Sequence, residues 1–118
     1  MKGLNQARVL NPTMCLGIAA EALELATAYA KERKAFGREI ARFQGIQWML
    51  AEMQVKVDAM RALVYKAAAM LAAGHPEGPQ QAAVAKLYIG RAAFEVVNDA
   101  MQIHGGYGYS SEFPLERM

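Results

Sequence analysis

The chain has 118 residues, of which 54% are apolar and 20% are charged. This length allows one domain with a sizeable core, and this composition excludes a generally disordered chain. The formal net charge is only +2, so any basic site must be local, and we expect no nucleic-acid partner. The single cysteine excludes an internal disulfide framework and favours a reducing compartment. The first residues lack the apolar core of a signal peptide, so we expect a cytoplasmic location.

An apolar helical pattern from about Leu4 to Arg33 predicts a first long helix. Apolar positions cover more than half of its circumference, which indicates burial on two sides. Pro12 marks either a bend or the true first turn of this helix. Cys15 has apolar neighbours, and we interpret it as a small core side chain rather than an activated thiol. Charges interrupt the apolar runs before the ~20 residues of a membrane span, so we expect none.

The helical pattern breaks at Phe36-Gly37, within a connection that is rich in positive charge. Arginine offers a planar fork of donors and lysine a point charge, so this basic corner can hold phosphates. Composition also allows the alternative that these charges are the solvated end of a helical bundle. The cations of the basic corner are Lys31, Arg33, Lys34, Arg38 and Arg42.

Two further helices are predicted, from about Phe43 to Ala73 and from about Gln80 to His104. Gly74 suits the end of the second helix and Pro79 the first turn of the third. Gly90 lies inside the third helix and suggests close approach of a neighbouring backbone or a ligand. Each helix has a line of residues spaced alternately four and three apart, here called its seam, which we expect to face the core. In the second helix the seam is Ile46, Leu50, Met53, Val57, Met60, Val64, Ala67 and Leu71. In the third it is Ala83, Leu87, Gly90, Phe94, Val97, Met101 and His104.

The third helix is followed by the glycine turn, Gly105-Gly106-Tyr107-Gly108-Tyr109. Its three glycines can take positive φ and allow a flat or charged ligand to approach the backbone closely. No strand-like alternation of useful length is found. The expected fold is therefore all-α, an antiparallel bundle with three long helices and a truncated fourth.

Other sites are not indicated. His75 and His104 lie far apart, and no cluster has the spacing of metal ligands, so we expect no metal. The glycine turn follows a helix, whereas a dinucleotide fingerprint must open one. A catalytic role for His104 would require a partner that the sequence does not identify, and we name no catalytic residue.

Two motifs together carry a family resemblance. The first is Glu32-Arg33-Lys34-Ala35-Phe36-Gly37 followed by Phe43-Gln44, and the second runs from Gln102 to Tyr109. In this order they resemble the C-terminal helical domain of the flavin-dependent acyl-CoA dehydrogenases, over nearly the whole chain. The resemblance implies that residues 1–118 are an incomplete C-terminal domain, without the N-terminal helical domain, the middle β-domain and the last helix.

The resemblance also implies FAD as cofactor. The arginine matching Arg33 meets the pyrophosphate across a subunit interface, and the glutamine matching Gln44 lies near the nucleotide half. The cofactor-binding residues implied in this way are Arg33, Ala35, Phe36, Gln44, Gln102, Ile103, His104, Gly105 and Gly106.

The segment from Leu4 to Arg8 is similar to the start of the family's substrate-facing helix, where Leu-Asp-x-x-Arg is common. The resemblance implies that Asn5 and Arg8 bind acyl-CoA, with Asn5 in place of the usual aspartate. Ala7 occupies the position at which a minority of members carry the catalytic glutamate, and most members carry the base beyond the position of Met118. We therefore expect no catalytic base in these 118 residues.

The implied reaction is α,β-dehydrogenation of an acyl-CoA thioester to a trans-2-enoyl-CoA, in fatty acid or amino acid catabolism. Electrons pass to FAD and then to an electron-transferring flavoprotein, in a homodimer or homotetramer. The isolated chain is expected to be inactive and to bind FAD weakly. The alternatives are a stand-alone helical oligomerisation module and a superfamily relative such as an acyl-CoA oxidase or a nitroalkane-oxidising enzyme.

Overall fold

A computed structural model describes residues 2–118 and consists of three long helices, which confirms the all-α expectation. Helix α1 spans Lys2–Glu32, α2 spans Gln44–Ala72 and α3 spans Gly78–His104. Each predicted helix boundary lies within two residues of the observed one. Short 3-10 segments occupy Ile40–Arg42, Gly105–Tyr109 and Pro114–Arg117.

A small β-hairpin separates α1 from α2. Strand β1, Lys34–Ala35, pairs antiparallel with β2, Arg38–Glu39. At its tip Phe36 has φ of 54° and Gly37 has φ of 83°. Positive φ at both central residues is typical of a type I′ turn, whose twist matches that of the two strands. The sequence did not predict this hairpin because two-residue strands are too short to show alternation.

Pro12 lies inside α1, which is continuous on both sides of it, so the alternative that Pro12 marks the first turn is wrong. Proline has no N–H and removes one helical hydrogen bond. One turn earlier, the Val9 carbonyl accepts a hydrogen bond from Thr13 Oγ1 at 2.8 Å. This contact adds a partner for the helix backbone beside the proline.

By length and composition alone, helix α1 could cross a membrane. Its most apolar stretch of 18 residues within Gly3–Glu32 has a mean hydropathy of 1.2. This differs from the expectation that charges interrupt every such run. The same helix supplies the core residues Ala19, Ala26 and Ala30, which have no exposed surface. A core helix of a helical bundle passes the same test.

The seam of α2 is confirmed, because Met53, Val57, Met60 and Val64 are all buried. The predicted seam of α3 is wrong over its first half, where Leu87 is 62% exposed and Phe94 is 74% exposed. Alanine occupies five of the ten buried positions of α3, and these alanines belong to the same core cluster as the buried alanines of α1. The buried positions of α3 are Gly78, Ala82, Ala85, Ile89, Ala92, Ala93, Val96, Ala100, Ile103 and His104.

Of the two interpretations of Gly90, the close approach of a neighbouring backbone is wrong among the described residues, and contact with a ligand stays a prediction. No heavy atom lies within 4 Å of a Cβ built at this position, so no backbone of the described chain approaches it. The turn between α2 and α3 agrees with expectation, since Gly74 has φ of +67° and Pro79 lies in the first turn of α3. Cys15 is half-buried and packs against the core.

Candidate functional site

The C-terminal ends of α1 and α3 meet through stacked aromatic rings. The centroids of Tyr29 and His104 are 4.3 Å apart, with 25° between their planes. Phe113 packs its edge against both rings, at 5.6 Å from Tyr29 and 4.7 Å from His104. This contact brings the basic corner next to the glycine turn.

The two segments share one cleft of about 510 Å³. Five residues that the resemblance assigned to the cofactor line it, namely Arg33, Ile103, His104, Gly105 and Gly106. Sequence reasoning missed the other lining residues, although Tyr29 lies one helical turn before Arg33 and Tyr107 lies inside the glycine turn. These additional residues are Tyr29, Ile40, Tyr107 and Ser110.

Arg33 has a fixed backbone and an available side chain. Its N–H donates to the Tyr29 carbonyl at 2.8 Å, and its carbonyl accepts from the Ile40 N–H at 2.8 Å. Its guanidinium lies 5.8 Å from the centroid of the Tyr107 ring. Among the described residues Arg33 forms no ion pair, so its fork of donors can receive an anion.

Glycines in the turn have two different functions. Gly105 has φ of +60°, and no heavy atom lies within 4 Å of a Cβ built at Gly105 or Gly106. Their backbone is therefore open to a ligand in the cleft. At Gly108, by contrast, a Cβ would lie 2.7 Å from the Met101 carbonyl oxygen. Gly108 is thus required for packing against α3.

His104 is buried, with 2% of its surface exposed. Its Nδ1 lies 2.8 Å from the Ala100 carbonyl oxygen, which assigns the proton to Nδ1 and leaves Nε2 as an acceptor. Nε2 is buried and has no hydrogen-bond partner among the described residues. Because an unpaired buried acceptor is costly, His104 stands out among the residues that line the cleft.

The hairpin lies beside the cleft, and Ala35 and Phe36 do not line it. Phe36 is 96% exposed at the hairpin tip. Gln44, in the first turn of α2, and Gln102, in the last turn of α3, are also exposed and outside the cleft. Four of the implied cofactor residues are therefore available only to a ligand that extends beyond the cleft.

Charges of the basic corner are not equivalent. Arg42 Nε lies 3.0 Å from Glu39 Oε2. The pKa of the Glu39 carboxyl is lowered by a hydrogen bond from its own backbone N–H and then by the charge of Arg42. The guanidinium of Arg38 stacks on Phe43, 4.4 Å from the ring centroid. Arg33 remains the cation that lines the cleft.

The implied substrate residues lie at the other end of α1. Arg8 Nη1 donates to Asn5 Oδ1 at 3.4 Å. Arg8 borders a separate cleft of about 460 Å³ with Lys86 and Arg91, so three cations surround this space. At a rise of ~1.5 Å per residue, Arg8 and Arg33 are ~37 Å apart along α1. One chain therefore does not bring the two sets together.

A larger cleft, of about 580 Å³, lies between α1 and α2 and contains none of the residues that the resemblance assigned to FAD or acyl-CoA, although Lys31 of the basic corner lines it. Its charges are mixed, with Glu24 and Glu32 beside Lys31 and Arg61. Within residues 2–118, no group of three His, Cys, Asp or Glu side chains is placed to hold a metal ion.

The chain is similar to known proteins in both sequence and structure. The family model described as "Acyl-CoA dehydrogenase, C-terminal domain" matches residues 1–118. The 3-sulfinopropanoyl-CoA desulfinase of Paraburkholderia xenovorans is 51% identical over 100% of this chain and 30% of its own length. The short-chain-specific acyl-CoA dehydrogenase of Clostridium acetobutylicum is 47% identical over 100% of this chain and 31% of its own length.

A solved structure described as an electron transferring flavoprotein of Acidaminococcus fermentans superposes with a TM-score of 0.93 and 46% identity. The match covers 97% of this chain and 30% of that one. The chain thus spans about 30% of the length of the relatives it matches. Because the family model matches every residue, the chain belongs to the acyl-CoA dehydrogenase C-terminal domain family.

Proposed function

We propose that this chain is the C-terminal part of an FAD-dependent acyl-CoA dehydrogenase. The enzyme would convert an acyl-CoA thioester to a trans-2-enoyl-CoA and act in fatty acid or amino acid catabolism. The observation that carries the proposal is that Arg33 and the open glycines Gly105 and Gly106 line one cleft. Family membership and the name of the Clostridium acetobutylicum relative support it.

The residues of the cleft fit the pyrophosphate of a dinucleotide. Arg33 offers a planar fork of donors that is free of carboxylate partners within the described chain. Gly105 and Gly106 leave the facing backbone uncovered, which allows a phosphate to approach. When bound, the flavin would accept the hydride from the substrate. The role of this chain is then to bind and orient the nucleotide half of FAD.

The extent of the implied site supports an assembly of subunits. Phe36 and Gln44 are exposed outside the cleft, where a long ligand held by another subunit could reach them. We propose a homodimer or homotetramer in the native enzyme, with a cytoplasmic location. We also propose an electron-transferring flavoprotein as the electron acceptor, supported by the likeness to the Acidaminococcus fermentans structure.

Acyl-CoA binding is proposed for the opposite end of α1. Arg8 lies beside Asn5, and Lys86 and Arg91 border the same cleft. Three cations around one space suit the phosphates of a CoA ester. The base that removes the substrate α-proton is proposed to lie outside these 118 residues.

The cofactor proposal is tested with Arg33→Ala and Arg33→Lys in the native protein that carries this chain. Removing the guanidinium should weaken FAD binding by about 10- to 150-fold, because a charged hydrogen bond contributes roughly 1.5–3 kcal/mol. Lysine keeps the charge without the fork, so an intermediate affinity is expected. The measurement is the dissociation constant from flavin fluorescence.

Arg61→Ala is the matched control, since Arg61 lies in the cleft between α1 and α2. It should leave FAD affinity unchanged. If Arg33→Ala binds FAD as tightly as the unmodified protein, Arg33 does not meet the pyrophosphate. Absence of flavin from the native protein would instead favour the helical oligomerisation module.

A second candidate function is a different reaction on a CoA thioester. The observation that favours it is the 51% identity to a relative named as a desulfinase. Both reactions use the same class of substrate. Incubating the native protein with a saturated acyl-CoA and with a sulfinated acyl-CoA, and measuring enoyl-CoA against released sulfite, separates the two candidates.

A further inference from the structure

The first half of α1 carries a line of exposed residues along one side of the helix. The line consists of Leu4, Ala7, Asn11, Met14 and Ile18, all exposed. Its steps alternate between three and four residues, so these side chains leave the helix on the same side. Four of the five members are apolar, and Asn11 is the polar one.

Local helix preferences do not explain the asparagine. Asn11 directly precedes Pro12 inside the continuous helix α1. The residue before a proline is disfavoured in helical conformation, and asparagine is a weak helix former because its side chain competes with the backbone for hydrogen bonds. The Asn11 carboxamide forms no hydrogen bond with any other described residue. A residue that breaks local rules without a structural partner is typical of a functional position.

Ala7 relates this line to the reaction of the proposed function. It occupies the position at which a minority of family members carry the catalytic glutamate. A carboxylate there must reach the α-carbon of the acyl group in order to remove its proton. The side of α1 that contains Ala7 therefore faces the reacting carbons, and the small alanine side chain leaves room for them.

Asn11 lies one helical turn beyond Ala7 on that side. Residues four apart on a helix have Cβ atoms ~6 Å from each other. Asn5, which is assigned to CoA, precedes Ala7 along α1, so the acyl group on the other side of the reacting carbons extends toward Asn11. A separation of ~6 Å corresponds to roughly four bonds of an extended acyl chain. Asn11 is thus placed to contact the part of the acyl group beyond the carbons that react.

The chemistry of a carboxamide favours a polar group at this point. Asparagine offers two N–H donors and one carbonyl acceptor. An apolar acyl chain would exclude water and leave these groups without partners, whereas an oxygen on the chain can accept an N–H. Arg8 follows Ala7, hydrogen-bonds to the neutral Asn5 and forms no ion pair among the described residues. The local charge is therefore positive, which favours an anionic oxygen.

We propose that Asn11 is a specificity-determining residue. It selects CoA thioesters whose acyl group carries an oxygen acceptor, such as a carboxylate, roughly four bonds beyond the α-carbon. The inference rests on the proposed function and adds the substrate class to it. The Asn11 N–H groups hydrogen-bond to the acyl oxygen, and an acyl group of equal length without oxygen leaves them unpaired.

The proposal is tested on the native protein with three thioesters of equal chain length, pentanoyl-CoA, glutaryl-CoA and 5-hydroxypentanoyl-CoA. The unmodified protein should have a higher kcat/KM for the two oxygenated substrates than for pentanoyl-CoA. In Asn11→Leu the ratio for glutaryl-CoA over pentanoyl-CoA should fall about 10- to 150-fold, because a hydrogen bond to a charged group is lost. Asn98→Leu, at an exposed asparagine of α3, is the matched control and should leave the ratio unchanged.

Asn11→Asp is a second variant, since aspartate has nearly the same shape as asparagine and preserves the local packing. It replaces the donor with a negative charge that repels a carboxylate. The ratio for glutaryl-CoA should fall here too, while 5-hydroxypentanoyl-CoA is retained because its hydroxyl can donate to the aspartate. Equal preference of the unmodified protein for both oxygenated substrates supports the proposal through hydrogen bonding alone, and a preference for glutaryl-CoA supports it with charge included.

Two results would overturn the proposal. The first is an unmodified protein that prefers pentanoyl-CoA, and the second is a substrate ratio that neither Asn11 variant changes. Titration calorimetry of the three thioesters gives the same ratios as dissociation constants, without depending on turnover. If none of the thioesters is dehydrogenated, the proposed function fails, and the binding ratios still decide the role of Asn11. Dehydrogenation with a ratio independent of Asn11 contradicts this inference alone.

Discussion

The imidazole of His104 stacks on the phenol ring of Tyr29, with the centroids 4.3 Å apart. This contact joins the end of α3 to the end of α1 and holds the two sides of the cleft together. Replacing His104 by alanine removes a buried ring, so we expect a loss of about 2–4 kcal/mol in the free energy of unfolding. Urea denaturation measures it, with Tyr109→Ala as an exposed control expected to cost less than about 0.5 kcal/mol.

The unpaired Nε2 of His104 leads to a second test at the same position. His104→Phe keeps an aromatic ring and removes both the buried acceptor and the bond to Ala100. Losing the bond costs about 1 kcal/mol, and removing the unpaired acceptor returns about 1–3 kcal/mol. Stability should therefore be equal to or higher than that of the unmodified chain. A loss as large as that of His104→Ala would show that Nε2 has a partner.

We predict that Phe36 lowers the stability of the chain and contributes to FAD binding. Its φ of 54° is rare for a bulky residue, and its side chain is 96% exposed. Asn-Gly is preferred in this type of turn, so Phe36→Asn should stabilise the chain by about 0.5–1 kcal/mol and weaken FAD binding. Thermal unfolding and flavin fluorescence measure the two effects. Phe36→Leu, which keeps the strained backbone and an apolar side chain, should not gain stability.

The ion pair between Lys56 Nζ and Glu95 Oε2, at 2.7 Å, connects α2 to α3. The pKa of Lys56 is raised from its ordinary value of 10.5, mainly by the hydrogen bond from its ammonium to Glu95. A raised pKa of the folded state means that the stabilisation is complete below the ordinary value. It is lost as pH rises through the raised value.

We expect a coupling energy between Lys56→Ala and Glu95→Ala of about 0.5–1 kcal/mol at pH 7, since both side chains are partly solvated. The coupling should disappear at strongly alkaline pH. The exposed pair Arg61 and Asp58, within α2, is the control and should couple by less. A double-mutant cycle in urea at the two pH values gives both numbers.

Two glycines should respond to alanine in opposite directions. Gly90 is helical with open space around it, so Gly90→Ala should stabilise by about 0.5–1 kcal/mol. At Gly108 a Cβ would meet the Met101 carbonyl at 2.7 Å, so Gly108→Ala should destabilise by about 1–3 kcal/mol. Calorimetry of the two variants measures both changes. Destabilisation by Gly90→Ala would show that another chain approaches that surface.

Much of the fold could be predicted from the sequence because the helices are long and their ends carry strong signals. Gly74 and Pro79 define one boundary, and the seam of α2 has a single apolar line. The seam of α3 could not be predicted, because α3 is apolar on two faces. The sequence pattern predicted that large residues such as Phe94 face the core. In the structure the core-facing positions are instead small residues such as Ala92.

The segments on the two sides of the candidate site could be predicted from the sequence, but the contacts that hold them together could not. Arg33 and Gly105 were singled out by the motifs, and the structure places them on one cleft. The stacking of Tyr29 on His104 could not be predicted from the sequence, because two residues 75 positions apart share no periodic pattern. Likewise, the packing role of Gly108 depends on a carbonyl that only the folded chain brings near.

Helix α3 packs on both α1 and α2 and has its most extensive contacts with α1, which makes it the central element of the three. Opening either outer helix leaves one side of α3 covered. Its middle amides, around Ala92 and Val96, should therefore exchange their hydrogens with solvent more slowly than those of either neighbour. The order in which the helices unfold then depends on their position in the bundle and not on their length. Length alone would make α1 the last to unfold, since it is the longest of the three.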